Sequence, residues 1–385
     1  MSKLRIAILS YRSAPFGGGQ GVYIKDISHA LSIMGHKIDV ISGPPYPNLA
    51  KQVKLIKLPG LDLFQTFLFK ERLKIFFSKK NKKVIDYYEF LSTLLGGFPE
   101  MRTFGFRAKN HLKNNDYDII IDNQSLSYGV LDLQKENPLI EIVHHPITKD
   151  YEHELETNNK FLYKLSRHRW YSFLKMQKKV APKLQTIVTP SINSLKDIAA
   201  DFHCDPKKIT VINNGLDIDI FIPHNNIERR KFRLITTASA DVPLKGLDYS
   251  LMALNDLKDE YPNIELIVIG KIKKDGHTSK LIKKLGIKDS IKFKTNLSKE
   301  EIAKEYAKSS ISIVSSLYEG FGYPVIEAMS CAVPLVAANT SSIPELVGDY
   351  ATLIPAKSSV ELAESIKDIF SDYLKYKNIA EAGRQ

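Results

Sequence analysis

Two glutamates have the residue type and the spacing to bind one polar ligand together. Glu319 and Glu327 have seven residues between them in the run E-G-F-G-Y-P-V-I-E, which follows an apolar segment at residues 311–314. Gly320 and Gly322 predict a flexible loop with free backbone N–H groups, which suit hydroxyls or a phosphate. Carboxylates accept hydrogen bonds from sugar and ribose hydroxyls. The alternative is a strand, loop and helix whose two glutamates are only solvated.

A second candidate is the glycine cluster G-G-G-Q-G at residues 17–21, between a predicted strand and a predicted helix. Such a loop lets the backbone approach a phosphate, and a helix N-terminus favours negative charge. The dinucleotide motif G-x-G-x-x-G is absent, because Val22 and Ile24 occupy the positions of its last glycine. The Walker motif is absent as well. Four glycines in five residues are more than a turn requires, which favours a phosphate-binding loop. The alternative is a tight turn that binds no ligand.

The elements that must position these residues alternate short apolar runs with helical stretches, which indicates an α/β fold with parallel sheets. Predicted strands cover residues 4–10, 37–42, 53–58, 118–122, 140–144 and 186–190, and then 233–238, 264–270, 291–294, 311–314 and 334–337. The segment between residues 213 and 230 is the best linker candidate. We expect two doubly wound, Rossmann-like domains that face each other across a cleft and bind ligands at the carboxyl ends of their strands.

Composition narrows the class of protein. The 385 residues are 43% apolar and 25% charged, which excludes disordered and fibrous proteins. Cys204 and Cys331 cannot form a disulfide framework, so a reducing compartment is expected. The N-terminus lacks the pattern of a signal peptide, and no apolar run approaches the ~20 residues of a membrane span. We therefore expect a cytoplasmic protein, soluble or peripheral to the membrane, and the cysteines and histidines do not have zinc-site spacing.

The glutamate pair resembles the E-x7-E signature of the retaining glycosyltransferase family 4, which has the GT-B fold. Four further segments are similar to motifs of that family: V-I-N-N-G-L-D at residues 211–217, L-K-G at 244–246, I-P-E-L-V-G at 343–348 and the glycine cluster. The resemblance covers almost the whole chain. It implies an N-terminal acceptor-side domain at residues 1–190 and a nucleotide-sugar-binding domain at 191–360. A C-terminal helix at about residues 361–385 is expected to pack back on the first domain.

The resemblance also implies roles for the matching residues. Glu319 would contact the donor sugar and Glu327 the nucleotide ribose. Gly320, Phe321 and Gly322 would complete the same substrate-binding loop. Lys245 would neutralise the leaving diphosphate, which suits a compact cation.

On the acceptor side, the resemblance places Gly18 and Gly19 close to the phosphates and the sugar. It matches His144 to a histidine that contacts the sugar near the reacting carbon. The adjacent His145 is an alternative match for this role. A second alternative is that the histidine is only structural and ends a strand. Family members usually have an arginine before the lysine of K-G, which this chain lacks. Lys245 and the backbone would then carry more of the neutralisation, with Ser239 as a hydroxyl donor.

The implied reaction transfers a hexosyl unit from a nucleoside-diphosphate sugar with retention, without a metal or other cofactor. A double displacement would need a carboxylate nucleophile, and the sequence does not identify a residue for this role. A front-side substitution is the family expectation. Asp116 and Asp118 have the spacing of a metal motif, but they precede a predicted buried strand and indicate a turn. The chain stops at Gln385, where family members usually continue, so either it is truncated or the helix around residues 361–377 alone makes the crossover.

The positive charge bears on the acceptor. The net charge is +12, and residues 51–115 hold 14 basic against 5 acidic residues, a local charge of +9, together with 11 phenylalanines and tyrosines. Residues 160–183 add 8 basic residues and no acid. Basic residues interleaved with large apolar ones fit helices on an anionic membrane surface and a lipid or lipid-linked glycan acceptor. The alternatives are core-facing aromatics beneath solvated lysines, or a phosphorylated acceptor.

Nucleic acid is not an expected partner, because no recognition module appears. Two other functions stay open. One is a nucleotide-sugar epimerase of the same fold. The other is a non-catalytic protein of the GT-B type that binds a membrane or a partner.

Overall fold

The computed structural model describes residues 3–14, 19–113, 115–157, 159–224 and 226–385. The strands in these ranges are β1 (Arg5–Ser10), β2 (Lys37–Ser42), β3 (Lys54–Lys57), β4 (Ile119–Asn123), β5 (Leu139–Ile142), β6 (Ile187–Thr189), β7 (Ile209–Val211), β8 (Arg230–Thr237), β9 (Glu265–Ile269), β10 (Ile291–Lys294), β11 (Ser309–Val314), β12 (Leu335–Ala338) and β13 (Thr352–Ile354). All the strand pairings are parallel.

Helices alternate with these strands. They are α1 (Gly19–Ile33), α2 (Phe69–Ser78), α3 (Val84–Leu94), α4 (Glu100–Leu112), α5 (Tyr128–Leu133), α6 (Thr148–Thr157), α7 (Phe161–Trp170), α8 (Leu174–Val180), α9 (Ile192–Phe202), α10 (Leu247–Leu257), α11 (His277–Leu285), α12 (Lys299–Ala307), α13 (Tyr323–Ser330), α14 (Ile343–Val347), α15 (Ser359–Ser371) and α16 (Tyr373–Arg384). Local chemistry starts some of them. Ser298 accepts a hydrogen bond from the Glu301 backbone N–H, and Glu301 returns one, which forms a capping box before α12.

The first compact unit comprises Met1–Thr189 and Leu195–Ile212. Its sheet has the order β3-β2-β1-β4-β5-β6-β7. β1 and β2 are buried over most of their length, as expected for a parallel sheet covered by helices on both faces. The strand order reverses between β1 and β4, so the loops that follow these two strands lie beside the crevice where such sheets bind ligands.

The second compact unit comprises Pro190–Ser194 and Asn213–Gln385. Its sheet has the order β10-β9-β8-β11-β12-β13, and the order reverses between β8 and β11. The loop after β8 and the loop after β11 therefore share the equivalent edge of this sheet. β11 is buried at all six positions, which explains its continuous run of small and apolar residues.

The predicted α/β class, with two doubly wound parallel sheets, is confirmed. Two strands of three residues, β7 and β13, were not predicted, because so short a segment carries no periodicity. β7 pairs with β6, so the first sheet continues beyond residue 190. The predicted C-terminal helix consists of α15 and α16, both within the second unit. The domain limits proposed from the sequence stay a prediction.

Candidate active site

The segment from β11 to α13 carries both glutamates of the predicted signature. Gly322, at the N-cap of α13, has φ = 112°, a conformation that favours glycine. A Cβ at this position would lie 3.2 Å from Leu346 Cδ1. Pro324 follows in the first turn of the helix, where its missing N–H removes no hydrogen bond. The loop therefore leads directly into α13 and sets the position of the helix that carries Glu327.

Glu319 is nearly buried and forms an ion pair with Lys245. Its Oε1 accepts hydrogen bonds from Lys245 Nζ at 2.7 Å and from Ser316 Oγ at 2.7 Å. Its backbone N–H donates to Ser341 Oγ at 2.8 Å. The side chain of Lys245 is 31% exposed, against 9% for that of Glu319. The ammonium group thus reaches solvent while the carboxylate is held from beneath, which leaves the cation accessible to an anionic ligand.

Backbone contacts join the loop of Lys245 to the loop of Glu319. Gly246 has φ = 59°, and a Cβ on it would lie 1.9 Å from the carbonyl oxygen of Ser315. Ser315 Oγ donates to the carbonyl oxygen of Gly246 at 2.9 Å, and the N–H of Leu317 donates to that of Leu244 at 2.7 Å. The K-G dipeptide therefore needs its glycine for a close approach between the two loops.

Glu327 lies on α13 beside a buried tyrosine. Its Oε2 accepts a hydrogen bond from the Tyr306 hydroxyl at 3.1 Å, and the same hydroxyl is 3.2 Å from Thr237 Oγ1. Burial raises the pKa of Glu327 to about 7, although the hydrogen bond from Tyr306 works in the opposite direction. This carboxyl consequently changes its charge close to neutral pH.

The remaining predicted residues of the second unit differ in their surroundings. Ser239 is exposed in the loop after β8. The carbonyl oxygen of Gly320 accepts hydrogen bonds from Ser191 Oγ at 2.7 Å and Ser194 Oγ at 2.9 Å. Phe321 is buried, with its ring centroid 5.5 Å from that of Tyr323. The carbonyl of Gly320 and the ring of Phe321 thus hold the loop in place.

In the first unit, the two adjacent histidines have different partners. His144 Nε2 lies 2.9 Å from Asn123 Oδ1, and its ring meets that of Tyr23 edge-on at 4.6 Å. Burial lowers the pKa of His144 to about 3, so its imidazole is neutral at pH 7. His145 Nε2 lies 2.9 Å from Asp150 Oδ2. A neutral, partly buried ring therefore occupies the position that the resemblance assigned to a sugar contact.

The part of the glycine cluster that the structure describes begins at Gly19, the first residue of α1. Among the described residues, a Cβ on Gly19 would meet no atom within 4 Å, whereas one on Gly21 would lie 2.1 Å from the carbonyl oxygen of Ala14. Gly21 is therefore required by packing, and Gly19 leaves open space above the helix start. Gly17 and Gly18 lie outside the described residues.

The residues that contact the predicted ones and that sequence reasoning missed include Asn123, Gln124 and Tyr306. Asn123 ends the buried strand β4, and Gln124 follows it at the edge where ligands bind, so a strand-end rule would have found both. Tyr306 lies in α12 and carries no local signal. Its contact with Glu327 depends on the packing of α12 against α13.

Two properties concern the described ranges only. Within them, no three His, Cys, Asp or Glu side chains converge as a metal ion requires. The helices that the structure describes include none with the length and apolar character needed to cross a membrane. Asp116 and Asp118 lie in the turn between α4 and β4, where Asp118 Oδ2 accepts the Arg5 N–H.

Comparison with known proteins adds the decisive observation. The family model described as Glycosyltransferase Family 4 matches residues 17–220, and that described as Glycosyl transferases group 1 matches residues 220–385. The chain belongs to glycosyltransferase family 4. This glycosyltransferase is 38% identical to an "MMP alpha-(1→4)-mannosyltransferase" of Mycolicibacterium hassiacum, over 99% of this chain and 93% of the relative.

Solved structures agree with this family 4 assignment at the level of the fold. A sucrose-phosphate synthase of Thermosynechococcus elongatus matches with a TM-score of 0.75 and 18% identity, over 99% of this chain and 93% of that one. HepE of Anabaena, solved with UDP and glucose, matches with a TM-score of 0.69 and 18% identity, over 99% and 94%. The predicted family, GT-B fold and glycosyltransferase activity are confirmed.

Proposed function

We propose that this glycosyltransferase moves a hexosyl unit from a nucleoside-diphosphate sugar to its acceptor with retention of configuration and without a metal ion or other cofactor. The observation that carries the proposal is the ion pair between Lys245 and Glu319, 2.7 Å apart, where the strand order of the second sheet reverses. A cation and a carboxylate at this edge suit the two ends of a sugar diphosphate.

The ion pair suggests how donor binding works. Before the donor binds, the nearly buried Glu319 carboxylate compensates the charge of the partly exposed Lys245 ammonium group. A bound diphosphate draws the ammonium group towards itself and frees the carboxylate to accept hydrogen bonds from sugar hydroxyls. As the glycosidic bond breaks, negative charge builds on the leaving diphosphate, and Lys245 stabilises it. Ser239, exposed at the same sheet edge, supplies a hydroxyl donor where family members usually have an arginine.

The resemblance to family 4 supplies the remaining donor contacts of our proposal. In this proposal Glu327 binds the nucleotide ribose, the glycine loop with Gly18 and Gly19 serves the phosphates and the sugar, and His144 contacts the sugar. Mannose is the first hexose to test, because the relative that is 38% identical is named a mannosyltransferase. The leaving phosphate helps to deprotonate the acceptor hydroxyl in a front-side substitution.

The acceptor in this proposal is a membrane lipid or lipid-linked glycan, reached from the inner face of the cytoplasmic membrane. Of the 11 aromatic residues at 51–115, three are buried, two are partly buried and six are exposed: Phe67, Phe69, Phe77, Tyr87, Tyr88 and Phe106. The core-facing alternative thus accounts for only part of the set. Exposed aromatics beside exposed lysines favour a surface that binds anionic lipid headgroups.

The test is transfer itself. The purified protein is incubated with GDP-mannose, UDP-glucose and ADP-glucose and with a membrane lipid extract. We expect one nucleoside diphosphate to be released together with a glycosylated lipid whose anomeric configuration by NMR is that of the donor, unaffected by EDTA. Glu319→Gln should abolish turnover, whereas Glu136→Gln on an exposed turn should not. Transfer to soluble glycans alone would contradict the lipid acceptor, and a changed sugar still attached to its nucleotide would indicate an epimerase instead.

A further inference from the structure

The loop that follows β4 holds two non-glycine residues in the left-handed region. Gln124 has φ = 60° and Leu126 has φ = 46°. Such residues are strained and persist only where their surroundings fix the backbone. The loop lies where the strand order of the first sheet reverses, directly beside the end of β5 and His144. Strain at this place calls for a functional explanation.

Two side chains of the loop hold the histidine. Asn123 Oδ1 contacts His144 Nε2 at 2.9 Å. Gln124 Oε1 accepts the backbone N–H of His144 at 2.9 Å, and its Nε2 donates to the carbonyl oxygen of His145 at 2.9 Å. Gln124 thus hydrogen-bonds to the backbone of both histidines, and Asn123 hydrogen-bonds to the imidazole ring of His144.

A buried pair of acids supports the loop from beneath. Asp122 Oδ2 accepts the N–H of Ser125 at 2.9 Å, and Glu141 Oε1 accepts the N–H of Leu126 at 3.2 Å. Both acids are fully buried at paired positions of the adjacent strands β4 and β5. Burial raises the pKa of both carboxyl groups, which disfavours negative charge beneath the loop.

We propose that Asn123 and Gln124 are positioning residues that hold His144 as a neutral imidazole with its proton on Nε2 and its lone pair on Nδ1. An amide oxygen only accepts hydrogen bonds, so the ring nitrogen facing Asn123 Oδ1 must carry the proton. A carboxylate in place of the amide would instead stabilise the imidazolium form. The catalytic part of this inference rests on the sugar contact proposed for His144.

Neutrality matters because of the charge that glycosyl transfer creates. The sugar in the transition state of glycosidic bond cleavage resembles an oxocarbenium ion and is positively charged. An imidazolium beside it would repel that charge, whereas a neutral ring with a fixed lone pair does not. Among the described residues, the titratable groups that face the ring include Tyr23 from α1 and the adjacent His145, which is paired with Asp150.

Replacement of the amide by a carboxylate tests this inference in the full-length protein. Nitrogen-15 NMR of His144 should show the Nε2–H tautomer, neutral down to pH 5, in the wild type. In Asn123→Asp the His144 pKa should rise to near neutrality. At pH values below that pKa, the kcat of the variant should be lower than that of the wild type by on the order of 10²-fold, and at higher pH it should recover. The KM for the donor should stay within about twofold of the wild-type value. Asn378→Asp, which adds the same charge at an exposed position of α16, should change neither quantity.

Two variants of Gln124 separate positioning from folding. Gln124→Gly and Gln124→Ala both remove the two hydrogen bonds, but only glycine suits the left-handed backbone, so we expect a lower kcat in both variants and a higher Tm for the glycine variant than for the alanine variant. An unaltered His144 pKa and pH profile in Asn123→Asp, or wild-type kcat in Gln124→Gly, would overturn the inference. Absence of sugar transfer by the wild type would count against the proposed function, while the NMR measurement would still test the tautomer.

Discussion

Glu327 is a carboxyl group whose proton affinity is set by the protein around it. Its pKa is raised to about 7 because burial penalises the charged form more than the Tyr306 hydroxyl stabilises it. An acid with a raised pKa binds its proton more tightly in the folded than in the unfolded chain. Its contribution to stability is therefore complete at low pH and is lost as the pH rises from about 4.5 to about 7.

Glu327→Gln should remove this pH dependence. The stability of the variant relative to the wild type should rise by about 3 kcal/mol between pH 4.5 and pH 7.5 and stay constant above. Denaturant unfolding of both proteins at several pH values measures the difference, and Glu136→Gln supplies the baseline for neutralising an exposed glutamate. A difference that does not vary with pH would show that Glu327 titrates at its ordinary value.

At the scale of elements, the loops after β8 and β11 are held together by hydrogen bonds and by the close approach of Gly246 to Ser315. The sequence predicted both loops, because each follows a clear strand and carries glycine. It did not predict why Gly246 is required, since the close approach to Ser315 depends on the adjacency of β8 and β11 in the sheet. Strand order is a non-local property, and spacing along the chain does not reveal it.

Gly246→Ala tests that coupling. The new Cβ cannot fit 1.9 Å from a backbone oxygen, so the loops must separate and Lys245 must move away from Glu319. We expect a loss of stability of about 1–3 kcal/mol and a loss of nucleotide-induced thermal stabilisation. Gly286→Ala is the matched control, because Gly286 has a similar φ of 65° with nothing within 4 Å of its Cβ. Equal nucleotide responses in the two variants would contradict a special role for Gly246.

Across the whole molecule, sequence patterns predicted the fold class and the family better than the contacts of single residues. Two series of strand and helix signals were enough to indicate two doubly wound sheets. The surroundings of the candidate residues were not predictable, because Asn123 reaches His144 and Tyr306 reaches Glu327 only through tertiary packing. The same holds for charge. The sequence shows a net charge of +9 at residues 51–115. Only the structure shows which of the lysines there already form ion pairs with acidic residues.

That distinction decides the last prediction. Lys79 is not a free surface charge, because its Nζ lies 2.8 Å from Asp86 Oδ1 in a cluster with Arg107. Four other basic side chains of the α2–α3 region are exposed: Lys70, Lys74, Lys80 and Lys83.

Replacing these four by glutamate should release the protein from vesicles of anionic phospholipid, because each basic residue near such a surface contributes about 1 kcal/mol. Sedimentation with vesicles at low and physiological salt measures binding. A control has the same charge change on exposed residues of the second unit, at Lys280, Lys283, Lys284 and Lys288. If the control loses binding equally, net charge alone attracts the membrane, and the α2–α3 surface has no specific part in reaching a lipid acceptor.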